Sequence, residues 1–83
     1  MKENDMKNNE NYEKSKILGR NIKNIRKQKR LTEMQLGKKI GKSRKFISLI
    51  EYSRYDKEIY LDSLFDISRA LDVDIYYFFI GIE

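Results

Sequence analysis

Residues 31–51, LTEMQLGKKIGKSRKFISLIE, constrain this chain more than any other stretch. They spell two short helices and the turn between them. Thr32 and Gln35 form a capping box: the threonine hydroxyl accepts from the Gln35 N–H, and the Gln35 side chain accepts from the Thr32 N–H. Leu36 and Ile40 are four apart and share a core face. Gly41 follows, where a helix end wants a left-handed residue. Ser43 caps the next helix, residues 44 to about 52, and Ile47 and Ile50 form its inner stripe. Gly37 stands inside the first of these helices, at a cost of ~1 kcal/mol relative to alanine. Close packing against the next helix explains it better than a neutral surface position does.

The flanking segments continue the helical pattern. Ser15 is positioned to cap a first helix running to about residue 29, with Leu18, Ile22 and Ile25 on one stripe and Arg20, Lys23, Arg26, Lys27 and Lys29 over the remaining surface. Leu31 is expected to be buried in the connection. Residues 1–14 are polar and asparagine-rich, and read as a flexible arm or a frayed helical extension. After a polar loop at residues 53–60, a fourth helix is expected over residues 61–71, with Leu61, Leu64, Ile67 and Leu71 on one face and the small Ser68 beside them. Asp72-Val73-Asp74 breaks it. Asp74 can cap a short fifth helix from Ile75 to about Ile80. The run IYYFF would suit a strand in isolation, but its cap and neighbours favour a helix. The expected fold is therefore all-α, with five helices in residues 15–83.

Chemistry is bounded by what is missing. There is no cysteine and no histidine. Disulfides, thiolate metal sites, thiol nucleophiles and imidazole acid–base catalysis are excluded. No nucleophile–base–oxyanion constellation is visible, so no enzyme, cofactor or metal is expected. No apolar run approaches a membrane span, and the N-terminus lacks the apolar core of a signal peptide, which makes the cytoplasm the expected location. A chain of 83 residues allows one small domain. Such a domain buries only about 60% of its unfolded surface, so a partner or a second copy is a natural supplement.

Charge is strongly polarised. Residues 16–55 hold 13 Lys/Arg against two acids, Glu33 and Glu51, a balance of +11. Residues 56–83 hold two bases against seven acids, −5, and residues 1–15 come to −1. One part of the molecule suits a polyanion and another does not.

Residues 18–79 resemble the Xre/Cro/C1-type helix-turn-helix family of phage, plasmid and bacterial regulators. The family pattern is roughly T-x-x-x-L-[AG]-x-x-[ILV]-[GS]-x-[ST]-x-x-x-[IV]-S-x-[IL]-E. Thr32, Leu36, Gly37, Ile40, Gly41, Ser43, Ile47, Ser48, Ile50 and Glu51 match it, and LDSLFDISRALDVDIYYFF is similar to the family's next two helices. The resemblance extends to small controller proteins of restriction–modification systems. It implies a lambda-repressor-like domain whose third helix enters the major groove of double-stranded DNA.

Carried over by position, Arg44, Lys45, Phe46 and Leu49 are the expected base contacts. Arg44 can bond guanine O6 and N7 together. Phe46 and Leu49 lie off the core stripe and can meet thymine methyls, or else pack on the second helix or the following loop. Expected phosphate contacts are Ser43, Gln35, Arg26 and the loop residues Arg54, Tyr55 and Lys57. Ser43 divides between capping and phosphate. Glu51 resembles the family's structural acid, which pairs with a base of the first helix.

Three departures stand out. The family's usual glutamine after the capping threonine is Glu33 here, which repels phosphate. Ser53 replaces the glycine that usually ends the third helix. The following loop is about two residues longer than usual.

Four successive aromatics, Tyr76, Tyr77, Phe78 and Phe79, exceed what one short helix can bury. Phe78 is expected to fill the core. Ile75, Tyr76, Tyr77 and Phe79 are then left for a homodimer interface, with a monomer as the alternative. The resemblance thus implies a homodimeric transcriptional repressor or autoregulator on a pseudo-palindromic operator. A protein-binding antitoxin or adaptor on the same fold is the alternative. RNA binding is disfavoured by the lack of the usual glycine and aromatic signatures.

Overall fold

The computed structural model describes residues 3–52 and 61–82, with side chains described from Tyr12 onward. Four α-helices run in order: α1 (Glu3–Gln28), α2 (Glu33–Lys39), α3 (Arg44–Glu51) and α4 (Leu61–Leu71). A 3₁₀ turn, Ile75–Phe79, closes the chain. All regular structure among the described residues is helical.

α1 begins at Glu3, so Ser15 is an interior helix residue and not a cap. Residues 3–18 contain neither glycine nor proline, and nothing in them stops the helix before the core stripe begins. Lys16 Nζ lies 5.3 Å from the Tyr12 ring centroid, one turn away, a contact that supports the extension.

The core forms where the helical stripes meet. Ile22, Leu36, Ile47, Ile67 and Phe78 are wholly enclosed, and Leu18, Ile50, Leu64 and Leu71 complete the cluster. Ile25, Leu31 and Ile40 pack against it while partly buried. Leu61, expected on the inner face of α4, is 57% exposed. It is the first residue of the helix, ahead of the neighbours that would cover it; Ser63, Leu64, Ile67, Ser68 and Leu71 carry the buried face instead. α2 packs chiefly on α3, and α1 on both α3 and the 3₁₀ turn.

Two glycines set how closely these elements approach. A Cβ on Gly37 would stand 2.7 Å from the Lys42 carbonyl oxygen and 3.0 Å from that of Ser43, so this residue must be glycine for the turn into α3 to lie against α2. Gly19 does the same for α1: its Cβ would meet the carbonyl of Ile50 and lie 2.6 Å from that of Glu51. The end of α3 therefore rests directly on the α1 backbone.

Three helices end in the same hydrogen-bonded turn. After α2, Lys42 N–H donates to Gly37 C=O at 2.8 Å and Gly41 N–H to Lys38 C=O at 3.3 Å, with Gly41 at φ 71°. After α1 the left-handed position is Arg30, at φ 61°, and after α4 it is Asp72, at φ 57°. Neither is glycine, and each turn is nevertheless closed by its backbone bonds, Leu31 N–H to Arg26 C=O at 3.2 Å and Val73 N–H to Ser68 C=O at 3.0 Å.

The expected fifth α-helix is a 3₁₀ turn. Asp74 does cap it, accepting from Tyr76 N–H at 2.9 Å. Asn21 on α1 then donates to the carbonyls of Phe78 at 2.9 Å and Ile80 at 2.8 Å. Those bonds fix the last carbonyls from outside and pin the turn to α1 with Phe78 inserted in the core.

Candidate nucleic-acid interface

The turn between α2 and α3 is built as its residue types require. The Thr32–Gln35 box closes in both directions, at 2.8 and 3.0 Å. Ser43 Oγ accepts from Phe46 N–H at 3.1 Å and starts α3. Ile47 and Ile50 turn inward. The same helix therefore carries its first residues, Arg44 and Lys45, outward on the exposed side.

A buried ion pair holds the far end of α3. Arg26 Nε and Nη2 donate to the two Glu51 carboxylate oxygens at 2.6 and 2.9 Å, and Nη1 donates to Leu31 C=O at 2.7 Å. The Glu51 side chain has no exposed surface. The paired arginine holds its proton more tightly, chiefly through the Glu51 hydrogen bond. Burial pushes the Glu51 carboxyl above its ordinary range; the Arg26 hydrogen bonds and charge pull it back, and the nearby Glu33 carboxyl pushes it up again. Glu51 thus has the structural role expected of it. Arg26 does not lie where a phosphate contact was expected: its guanidinium is buried and committed to Glu51 and Leu31, so it belongs to the scaffold.

Glu33 does not point outward at the solvent either. Its side chain is only 13% exposed, with Oε1 3.7 Å from Arg44 Nε. Oε2 is buried, and no donor among the described residues reaches it. Between α1 and the starts of α2 and α3 lies an open groove of about 460 Å³, whose walls include Lys23, Lys27, Glu33, Arg44 and Tyr52. Lys23 Nζ donates to Tyr52 Oη at 2.8 Å and sits 4.5 Å from that ring centroid.

The remaining expected contacts divide by position. Arg44 keeps a side chain 67% exposed despite its ion pair. Lys45 and Ser43 are exposed and Leu49 is half-buried. Phe46 packs partly against the core, with Lys42 Nζ 5.2 Å from its ring centroid. Gln35 is exposed, its carbonyl oxygen held by the box. Arg54, Tyr55 and Lys57 lie outside the described residues. At the opposite end, Tyr76, Tyr77 and Phe79 are 64%, 49% and 39% exposed, while Ile75 is half-buried against the core. The two tyrosine rings meet edge to face at 5.4 Å.

Sequence reasoning missed Gly19, Asn21, the Lys23–Tyr52 contact and the Glu33–Arg44 pair. Gly19 carried a signal, a helix-interior glycine within the first helix. The others join residues far apart in the chain or on separate helices, and no spacing rule marks them.

A short helix capped by Ser43, held against its predecessor through glycine, with a basic exposed first turn, defines the helix-turn-helix class of DNA-binding folds. A helix-turn-helix family model matches residues 22–78, and the chain belongs to the Xre/Cro/C1-type helix-turn-helix family. A comparison with curated proteins found no match. The family is one of DNA-binding regulators, and in that general sense this protein is a DNA-binding regulator. No described helix is long and apolar enough to cross a membrane.

Proposed function

We propose that this protein is a sequence-specific double-stranded DNA-binding transcriptional regulator, a repressor or autoregulator, that acts as a homodimer on a pseudo-palindromic operator. The observation that carries this reading is the division of α3: Ile47 and Ile50 are buried while Arg44 and Lys45 leave its first turn into solvent. Arg44 and Lys45 read base edges in the major groove, Leu49 and the exposed edge of Phe46 meet thymine methyls or sugars, and Ser43 and Gln35 lie near phosphates. Lys23 and Lys27 replace Arg26 as the phosphate-facing bases of α1. The exposed Tyr76, Tyr77 and Phe79 supply the two-fold contact, with Ile75 beneath them, and set the two copies of α3 ~34 Å apart.

Footprinting of the purified protein on DNA upstream of its own coding sequence tests this reading. Two protected half-sites one helical turn apart are expected. With 6–10 phosphate contacts per dimer, affinity falls ~10³–10⁵-fold between 50 and 200 mM salt. A flat salt response rules the reading out. The same exposed aromatics favour a second reading, a protein-binding antitoxin or adaptor, which a stoichiometric protein complex without any footprint would establish.

A further inference from the structure

The groove between α1 and the starts of α2 and α3 is walled by four bases, Lys23, Arg26, Lys27 and Arg44. Arg26 is committed to Glu51 and the Leu31 carbonyl. Lys23, Lys27 and Arg44 remain, enough charge to draw in a phosphate. Glu33 is the one acid among the described residues that line this groove. Its side chain is 13% exposed and Oε2 is buried, so packing holds the carboxylate in place. Oε1 lies 3.7 Å from Arg44 Nε, an ion pair longer than a hydrogen bond. Lys45, the next residue, is exposed and has no acid within ion-pair distance among the described residues.

We propose that Glu33 is a specificity-determining residue that keeps Arg44 off the DNA backbone and positions it for a guanine, at the expense of total affinity. The inference rests on the reading that α3 docks in the major groove.

Two physical effects carry it. The first is repulsion. A phosphate drawn to Lys23, Lys27 and Arg44 would bind whatever the sequence, and would take Arg44 with it. The fixed carboxylate repels that phosphate, while the α1 lysines stay available to phosphates farther from Glu33. An element that disfavours the wrong partner raises selectivity even where it lowers affinity. The second is orientation. Glu33 meets Arg44 at Nε, the nitrogen set back along the side chain. Nη1 and Nη2 form the tip beyond it, and a fork of two N–H donors suits guanine O6 and N7. The pair is weak while water fills the groove. It strengthens when docked DNA displaces that water, because the same charges then interact across a lower dielectric. Glu33 therefore acts through Arg44 and touches no base itself.

The test is a set of dissociation constants across a salt series for wild type, Glu33→Gln, Arg44→Ala and the double variant. Three duplexes of equal length are used: the footprinted fragment, the same fragment with the guanine that Arg44 reads replaced, and a random sequence. Arg44→Ala is expected to lower the preference for that guanine by roughly 5- to 150-fold. Glu33→Gln keeps the side-chain length, and is expected to lower the same preference by roughly threefold to tenfold, as for coupled neighbours. It also binds the random duplex more tightly than wild type, with a salt slope steeper by up to about 0.9. In the Arg44→Ala background, Glu33→Gln changes guanine preference no further. Glu33→Asp keeps the charge on a shorter stem and falls between wild type and Glu33→Gln in preference. A merely structural Glu33 would weaken all three duplexes alike, and that result overturns the proposal. So does an unchanged guanine preference in Glu33→Gln, or an equal loss when Arg44 is absent. Absence of a footprint with the wild-type protein overturns the DNA reading itself.

Discussion

Two arginine–glutamate pairs are attached to α3, one at each end, and they differ in almost every physical respect. Arg26–Glu51 is buried, bidentate and short, and it ties α3 to α1 beside the close approach at Gly19. Arg44–Glu33 is a single contact of 3.7 Å with the arginine mostly in solvent. The first cannot open without stranding a charge in the interior. The second is worth roughly 0–1 kcal/mol, because solvent screens it and the arginine keeps its freedom. One end of the helix is therefore anchored, and the other offers an arginine that can be taken by a competing partner at little cost. Identical chemical groups serve opposite ends because burial differs.

The largest expected effect breaks the anchored pair. Arg26→Ala leaves Glu51 buried and unpaired and lowers unfolding free energy by about 3–5 kcal/mol in chemical denaturation. The double change Arg26→Met with Glu51→Leu costs less than Arg26→Ala, because no charge is left behind. If both variants lose the same stability, the anchor acts through packing and not through charge.

Arg44→Ala reverses the pattern. Unfolding free energy stays within about 0.5 kcal/mol of wild type, as for other surface changes. Discrimination between the operator and a guanine-substituted site falls by about 1–3 kcal/mol in competition binding. Preserved operator preference in this variant would show that α3 docks in another register.

A smaller effect joins the two ends through Glu33. The Glu51 carboxyl is raised above 4.5, first by burial and in part by Glu33. The native state then keeps a proton that the unfolded chain releases. This contribution to stability is complete below about pH 4.5 and is lost as pH rises through the folded value. Glu33→Gln removes the like charge, so its stability relative to wild type grows with pH, within about 1 kcal/mol. Thermal melts of both proteins from pH 4 to 8 read that difference. A constant difference would separate the two carboxyls.

The smallest effect should leave the comparison untouched. Arg30 occupies a left-handed position at φ 61° after α1. Arg30→Gly relieves that strain and raises stability by less than about 1 kcal/mol, after the added freedom of the unfolded chain is counted. The operator footprint is expected to be unchanged.

Much of the scaffold was legible because it is local. The Thr32 box, the Ser43 cap, the Gly41 turn, the inner stripe of α3 and the placement of Phe78 all follow from residues a few positions apart. Two of the failures also have local causes. Ser15 resembled a cap, but the preceding segment contains nothing to stop a helix. Leu61 has the right spacing for the inner face, but it stands at the exposed start of α4. The short final helix could not be distinguished from a 3₁₀ turn without the Asn21 side chain that holds its carbonyls.

The site divides along the same line. Sequence alone determined that α3 exists, where it starts, which stripe it buries and that Arg44 and Lys45 lead it. These depend on hydrogen bonds within one turn and on a 3.6-residue period. Tertiary structure alone decided which charges remain available. Sequence places seven bases along α1, and nothing in their spacing distinguishes Arg26 from its neighbours. Only the crossing of α3 over Gly19 places Glu51 against that one arginine, and only the α2–α3 angle set at Gly37 brings Glu33 to Arg44. Burial is a property of the assembled surface, and it turns one arginine into scaffold while leaving the other facing solvent.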